Sequence, residues 1–301
     1  MRRRWPWRKR ILHGIEAVAL YTLFAVLRLV PVDVASAAGG FVARLVGPWL
    51  PVSRVGRTNL GHAFPDKSPA EIERILVGVW DNLGRYMAEY PHLTRIWDYD
   101  PERPEAARRI IVAGEEHFLA LRSSGRPALI FSGHLGNWEL MPVGGARLDL
   151  PHTVMFRPPN NPHAAALLYR IRSEAMGQLA ATGVWGSVAA VQTLMAGRVL
   201  GLLIDQHFER GIPVPFFGRP AKTATALAKL ARRFDCPVYG ARVERLGGVR
   251  FRVSLTPPLP LQRTDDAAAD VAANTALVTA VLEGWVRERP EQWLWLHRRW
   301  R

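Results

Sequence analysis

Short apolar runs alternate with longer amphipathic stretches over the last two thirds of the chain. The apolar runs have the length and composition of buried β-strands and cover residues 110–112, 128–131, 153–156, 199–204 and 238–243. Apolar positions at helical spacing lie between and after them, in residues 115–122, 137–146, 162–176, 188–196, 223–233 and 267–287. This alternation predicts an α/β fold with a central sheet flanked by helices. Residues 251–255 are a candidate antiparallel strand, which would make the sheet mixed.

The first third of the chain is predicted to be mainly helical. Helices are expected over residues 32–44 and 66–89, and the second has Ser68 as N-cap, Pro69 at the first helical position and Glu71 at the third. A proline-rich acidic connection then precedes the alternating pattern. We therefore interpret residues 32–301 as a single α/β domain with a helical lead-in to about residue 100.

Residues 1–31 form a separate N-terminal segment. Residues 1–10 are basic and aromatic, and the mostly apolar stretch from residue 11 to residue 30 stops at Pro31. This pattern predicts a membrane-anchoring helix with its basic cap on the cytoplasmic side. A signal peptide and an internal helix packed on its own domain are the alternatives. The stretch contains His13, Glu16 and Arg28, which leave open whether the helix spans the bilayer or lies at its surface.

Charge and composition narrow the possible partners. The formal net charge of +14 requires an anionic partner, and several of the eleven tryptophans lie beside arginines at both ends of the chain. Tryptophan with arginine is typical of a membrane interface, so anionic membrane lipids are favoured over nucleic acid. The single cysteine, Cys236, excludes an intramolecular disulfide and is expected to be an inert core thiol.

The strongest chemical motif follows the apolar run at residues 128–131. Glycine breaks this predicted strand, and His134 comes directly before a predicted helix, at the place where α/β proteins bind ligands. Residues five apart on one helix point about 140° away from each other. We therefore expect His134 on a loop and Glu139 in the first turn of a helix that begins near Asn137. From there Glu139 could hold the imidazole and raise its basicity, as a general base requires.

Other interpretations of this motif exist. A histidine near a glutamate is often structural, and the same spacing occurs by chance in many proteins. A zinc site is disfavoured, because helical ligand pairs are spaced four residues apart and a third ligand is not evident nearby.

The residues from Phe131 to Glu139 resemble the catalytic block of the lipid A biosynthesis acyltransferases, within the lysophospholipid acyltransferase superfamily. Further blocks that are similar to those of this family occupy residues 156–162, 204–206, 214–221, 285–287 and 290–300. The resemblance implies a glycerol-3-phosphate acyltransferase-like fold. It also implies transfer of an acyl chain from an acyl carrier protein or coenzyme A thioester to a hydroxyl of a lipid A precursor. The expected location is the cytoplasmic face of the inner membrane, with no metal or other cofactor and with the chain as a monomer.

The resemblance also implies roles for individual residues. His134 would deprotonate the acceptor hydroxyl, and Glu139 would orient His134. Arg157 or backbone N–H groups around Gly136 would stabilise the oxyanion, although Arg157 could equally contact a phosphate or carboxylate. The further substrate-binding candidates are Asn137, Asp205, Gln206 and Arg298. Arg298 and Arg299 are candidates for binding acceptor phosphates, and a solvated basic face is the alternative. We expect His207 and His297 to be structural, and His163 has no predicted role.

Two other functions are compatible with parts of the sequence. The same chemistry could serve another glycolipid acceptor, such as a mannosylated phosphatidylinositol. A basic membrane-surface protein without catalysis would explain the charge but not the ordered series of motifs.

Overall fold

The computed structural model describes residues 7–301, so the first six residues of the predicted basic cap lie outside the described residues. The α-helices are α1 (Trp7–Leu29), α2 (Val32–Val46), α3 (Ser53–Ala63), α4 (Pro69–Glu89), α5 (Leu93–Ile96), α6 (Glu115–Ser124), α7 (Leu140–Arg147), α8 (Pro162–Ala175), α9 (Val184–Met195), α10 (Ala226–Phe234) and α11 (Ala267–Glu288). The strands are β1 (Ile110–Ala113), β2 (Ala128–Ser132), β3 (His152–Phe156), β4 (Gln178–Ala181), β5 (Val199–Leu203), β6 (Ile212–Phe216), β7 (Arg219–Thr223), β8 (Val238–Gly247) and β9 (Arg250–Leu255).

Seven strands form the central sheet, in the order β1-β9-β8-β2-β5-β3-β4. All neighbouring pairs are parallel except β8 and β9, which are antiparallel. The predicted α/β fold with a mixed sheet flanked by helices is therefore confirmed. The strand β2 is buried along its whole length, as its uninterrupted apolar sequence predicts.

The hairpin of β6 and β7 was not predicted. These strands contain Pro213, Pro215 and Pro220, and proline is normally excluded from strands that pair on both sides. A two-stranded ribbon tolerates them because each strand has only one neighbour. The turn consists of Phe217 and Gly218, both with positive φ, as tight hairpins require. Because Thr223 ends β7, the helix predicted from residue 223 begins three residues later.

The N-terminal helices pack against other helices of the chain. Residues 11–29 of α1 are long and apolar enough to cross a membrane, and α1 packs against α8. The helix α2 packs against α4, whose predicted capping box between Ser68 and Glu71 is present with both hydrogen bonds. The helix α3 and the short strand β4 were not predicted from the sequence.

Candidate active site

Two polar side chains meet at the carboxyl ends of neighbouring parallel strands. In the register of β2 and β5, Ser132 lies opposite Leu203, and His134 and Asp205 each follow two residues later. Asp205 Oδ1 lies 2.8 Å from His134 Nδ1, and the His134 backbone N–H donates to Asp205 Oδ2 at 2.7 Å. The carboxylate therefore fixes the imidazole with Nδ1 as donor and leaves Nε2 as the basic nitrogen.

Glu139 has different partners from those predicted. The helix α7 begins at Leu140, so Glu139 precedes it. Its carboxylate accepts hydrogen bonds from Tyr86 Oη at 3.1 Å and from Arg172 Nε at 3.1 Å and Nη2 at 2.5 Å. The prediction that Glu139 holds the imidazole is therefore wrong, because Asp205 occupies that position. The sequence spacing could not show this, since Asp205 is 71 residues away along the chain.

Two glycines allow the loop after β2 to take its path. Gly136 has a φ of +57°, and a Cβ there would lie 2.5 Å from the backbone oxygen of Val243. A Cβ on Gly133 would lie 2.5 Å from Leu282 Cδ1 and 3.1 Å from Asp205 Oδ2. Glycine therefore permits both the turn at Gly136 and the close approach of Asp205.

The C-terminal segment holds this loop in place. Leu294 N–H donates to His134 O at 3.1 Å, and Gly136 N–H donates to Gln292 O at 3.0 Å. Trp293 is buried, and its Nε1–H donates to Asp205 Oδ2 at 2.8 Å. The role of Trp293 was missed, although it lies in the last block of the family resemblance. Gly136 N–H is already engaged and is therefore not available as an oxyanion donor, while such a role for the neighbouring backbone N–H groups stays a prediction.

Burial and neighbouring charges shift the pKa of each member of the His134–Asp205 pair in opposite directions. Burial disfavours the ionised form of Asp205, but the charge of His134 and its hydrogen bonds outweigh this, and the pKa of Asp205 is lowered. Burial also disfavours protonated His134, yet the Asp205 carboxylate, helped by Glu139, holds the pKa of His134 above its usual value. Asp205 therefore stays ionised and makes His134 a stronger base.

The Glu139 carboxylate forms a second charged pair with Arg172. Burial disfavours the charged guanidinium, but Glu139 reverses this and raises the pKa of Arg172. Tyr86 packs its ring at 4.0 Å from that of Trp138, and Trp138 in turn lies edge-on at 4.9 Å from the His134 ring. The Glu139 pair therefore fixes the aromatic side chains against which the imidazole packs.

A cavity of about 1100 Å³ opens at this pair of loops. His134, Glu139, Arg172 and Gln206 line it, and Gln206 Nε2 lies 3.5 Å from His134 Nε2. The rest of its wall is mainly apolar and includes Ile130, Met141, Val154, Leu179, Leu202, Leu203 and Val253. The basic nitrogen of His134 thus faces a space that suits an aliphatic chain.

Only some of the predicted substrate-binding residues line the cavity. Arg157 and Gln206 line the cavity. Asp205 is fully buried behind His134, so its predicted direct contact with substrate is wrong. The same holds for Asn137, which is fully buried and donates from Nδ2 to Glu89 Oε2 at 2.8 Å. Arg298 is exposed and does not line the cavity.

Arg299, which was considered with Arg298 for acceptor phosphates, has a structural position. It is buried and donates to Thr223 Oγ1 at 2.7 Å and to Lys222 O at 3.0 Å. Its guanidinium lies 5.1 Å from the centre of the Phe216 ring. Arg299 therefore holds the C-terminal segment against the β6–β7 hairpin.

Besides Arg172, which is paired with Glu139, three cations line the cavity. They are Arg157, Arg210 and Lys229, and we call them the cationic rim. All three are exposed, and none forms an ion pair with another residue of the described chain. Arg210 and Lys229 were missed. Arg210 could have been noticed, because it follows closely after Asp205 and Gln206 at the same strand end. Unpaired cations at a cavity are suited to an anionic ligand.

Within residues 7–301, no group of three or more His, Cys, Asp or Glu side chains is placed to hold a metal ion. The free Cys236 is buried away from these loops, and burial raises its pKa to about 11. The His134–Asp205 pair is suited to the deprotonation of a hydroxyl.

The chain is similar to known proteins of one bacterial family. A family model described as bacterial lipid A biosynthesis acyltransferase matches residues 7–301. The chain is 27% identical to a lipid A biosynthesis lauroyltransferase of Escherichia coli K12 over 83% of this chain and 79% of that protein. It is 24% identical to a lipid A biosynthesis palmitoleoyltransferase of the same organism, over 82% of this chain and 78% of the relative. A lipid A biosynthesis acyltransferase of Shigella flexneri is similar to the same extent.

Proposed function

Because the chain belongs to the bacterial lipid A biosynthesis acyltransferase family, we propose that it moves a fatty acyl chain from a thioester of acyl carrier protein to a hydroxyl of a lipid A precursor. The relatives named for lauroyl and palmitoleoyl transfer support a fatty acyl donor. The acceptor is a Kdo-bearing, tetraacylated precursor, which places the reaction late in lipid A synthesis.

The observation that carries the proposal is the His134–Asp205 pair, whose free Nε2 faces the cavity. Nε2 takes the proton of the acceptor hydroxyl as the oxygen attacks the thioester carbonyl. The tetrahedral intermediate then collapses, the C–S bond breaks, and the thiolate receives the proton from His134. Asp205 stays ionised throughout and stabilises the imidazolium. The reaction needs no covalent acyl-enzyme, and we propose that no metal or other cofactor takes part.

Glu139 and Arg172 act on the same reaction from the cavity wall. The Glu139 carboxylate adds to the negative field that favours protonated His134 in the intermediate. Arg172 keeps this carboxylate in place. We propose that Glu139 supports the base electrostatically, while Asp205 orients it.

The substrates divide between two parts of the cavity. The apolar wall takes the aliphatic part of a substrate, and the cationic rim binds a phosphate group. Because Arg157 lies with two other unpaired cations, we assign it to phosphate binding and not to the oxyanion. The anionic lipids of the inner membrane attract the basic chain, and a soluble donor such as acyl carrier protein places the site at the cytoplasmic face.

The test uses the purified full chain with the tetraacylated Kdo-bearing precursor. Acyl carrier protein and coenzyme A thioesters of several chain lengths are compared as donors, and products are identified by mass spectrometry. A mannosylated phosphatidylinositol is offered as the competing acceptor. The expected product is the precursor plus one acyl chain, formed faster with the carrier-protein donor.

The same assay tests the base. His134→Ala is expected to lower turnover by about 10²-fold to 10⁴-fold, the usual contribution of a general base. His163→Ala is the control, because His163 is exposed and does not line the cavity. Transfer at the wild-type rate by His134→Ala would contradict the mechanism, and acylation of the mannosylated lipid alone would contradict the acceptor.

A further inference from the structure

The helix α2 has a reversed distribution of side chains for a water-soluble protein. Its small residues face the domain, where Gly39 approaches Gly84 of α4 so closely that a Cβ would lie 2.5 Å from the Gly84 oxygen. Its large apolar residues face outwards at helical spacing, and with the residues after the helix they form one exposed stripe: Val34, Phe41, Val42, Leu45, Val46, Trp49 and Leu50. Trp49 is 87% exposed. An apolar stripe of this length in contact with water is unfavourable and marks an interaction surface.

The helix α1 is held lengthwise against the domain. Near its start, Asn161 Nδ2 donates to His13 O at 3.0 Å, and near its end His92 Nε2 lies 2.8 Å from Leu27 O. These positions are fourteen residues apart, which is about 21 Å along a helix. Phe24 is buried between them. The opposite face is apolar and exposed, at Ile11, Leu12, Ile15, Val18, Leu23, Val26 and Leu29.

We propose that α1 and α2 together lie in the plane of one leaflet of the membrane, as a single monotopic docking surface, and that α1 does not cross the bilayer. A helix that crossed the hydrocarbon core would carry along the residues bonded to both of its ends. Asn161 is the N-cap residue of α8, and His92 lies in the turn directly after α4, so both belong to the folded chain beyond α1 and α2. Polar loops of this kind are not stable in contact with lipid tails. A helix that lies flat keeps these contacts and still buries its apolar face by about 5–10 Å.

Several features identify lipid as the occupant of this surface. The stripes of α1 and α2 follow each other along the chain, with exposed Leu29 and Val34 on either side of the short connection at Pro31. Among the described helices, α1 has the length and composition of a membrane helix. The net charge of +14 favours anionic headgroups over a second copy of the same cationic chain. Trp49, at the end of the α2 stripe, is the residue type that membranes hold at headgroup level.

The test is a depth profile by electron paramagnetic resonance of the full chain in phosphatidylethanolamine and phosphatidylglycerol vesicles. Single nitroxide labels are placed on α1 with Ile11→Cys, Val18→Cys and Leu29→Cys, and on α2 with Phe41→Cys and Leu45→Cys. Leu119→Cys is the matched control, because Leu119 is also an exposed helical leucine but lies on α6, which packs against β9 and not extensively against α1 or α2. The buried Cys236 stays in place, and the unsubstituted chain reports its background labelling.

The expected result is preferential collision with oxygen over a water-soluble nickel complex at all five α1 and α2 positions, at similar depths, with the reverse at position 119. A depth maximum at position 18 with aqueous values at 11 and 29 would show a spanning helix and overturn the proposal. Aqueous values at 41 and 45 would remove α2 from the surface. Spin–spin broadening at position 45 that disappears when unlabelled chain is added would show that a second copy covers the stripe. That result would also overturn the proposal. Thermal unfolding of each variant checks that it is folded. Because the labels report membrane depth and not activity, the outcome is independent of the proposed acyl transfer.

Discussion

At the level of single residues, the buried Asp205 carboxylate contributes most to the basicity of His134. Asp205→Asn keeps the shape of the side chain but removes the charge that raises the pKa of His134. The base acts only when neutral, so wild-type kcat/KM should fall as the pH drops through this raised pKa. In Asp205→Asn the pKa of His134 falls, and the acidic limb of the pH profile should move to lower pH. The maximum of kcat/KM should also fall, by about 10²-fold to 10⁴-fold.

The control for this experiment is Gln206→Ala, which removes the neighbouring side chain near Nε2 but no charge. Its acidic limb should stay at the wild-type pH, although its KM can change. An unchanged acidic limb in Asp205→Asn would contradict the assigned role of Asp205.

Trp293 supports the same carboxylate from behind. Trp293→Phe keeps an aromatic ring but removes the Nε1–H donor to Asp205 Oδ2. A hydrogen bond to a charged group is worth about 1.5–3 kcal/mol, so we expect a loss of that order in the free energy of unfolding by urea. We also expect a lower kcat at nearly constant KM, because the carboxylate can then shift. Trp295→Phe is the control, since Trp295 Nε1 donates to Pro290 O and not to the catalytic pair. Equal losses of kcat in both variants would point to packing alone.

These residues show how far the sequence determines the site. His134 was predictable, because an apolar strand followed by glycine places it at a strand end. The role of Asp205 was not, since it requires β2 and β5 to be neighbours in a shared register, and that pairing is non-local. Asp205 and Gln206 were both recognised as polar residues after a strand. Only the pairing shows that Asp205 points to His134 while Gln206 lines the cavity.

At the scale of secondary-structure elements, one buried ion pair joins α2, α4, β8 and the catalytic loop. Arg245 donates to Glu89 at 2.5 Å and 3.0 Å. Glu89 also accepts from Ser36 Oγ at 2.7 Å and from Asn137 Nδ2 at 2.8 Å. Since Ser36 lies on α2 and Asn137 follows Gly136, the proposed membrane helix is connected to the His134 loop through a single carboxylate.

Removal of this carboxylate charge should be strongly destabilising. In Glu89→Gln the Arg245 charge remains buried without its counter-ion, and we expect a loss of about 3–5 kcal/mol in the free energy of unfolding. The measurement is urea denaturation. Asp235→Asn is the matched control, because Asp235 and Arg263 form an exposed ion pair, which is worth at most about 1 kcal/mol. A loss in Glu89→Gln as small as that of the control would show that the network does not hold these elements together.

Element prediction failed where local pattern and tertiary context disagree. The three prolines of the β6–β7 hairpin obscured two real strands, because proline is tolerated there only on account of the missing third strand. In contrast, most strands of the main sheet were recognised because each is a short apolar run, and β2 is buried along its whole length. For α2, periodicity predicted the helix but not its orientation, since an apolar stripe does not show whether protein or lipid covers it.

At the scale of the whole molecule, the net charge of +14 has two separate consequences. Part of it lies on the rim of the cavity, and part is distributed over the surface, where anionic lipid can attract it. The partition into an N-terminal anchor and a single domain stays a prediction. The two contributions can be distinguished, because only the rim should act on a particular substrate.

The cationic rim provides the last prediction. The double variant Arg210→Ala and Lys229→Ala should raise the KM for a phosphate-bearing substrate by about 10-fold to 100-fold, the equivalent of one charge-assisted hydrogen bond. Because these groups contact substrate away from the reacting carbonyl, kcat should change little.

Steady-state rates are measured with the phosphorylated acceptor and with the same acceptor after enzymatic removal of its phosphates. If the KM rises only for the phosphorylated acceptor, the rim binds acceptor phosphate. If the KM rises only for the donor, the rim binds the phosphate of the donor's prosthetic arm. The double variant Arg126→Ala and Arg250→Ala removes the same number of charges and is the control, since both arginines are exposed and neither lines the cavity. An equal rise in KM in this control would mean that general attraction, and not the rim, determines substrate affinity.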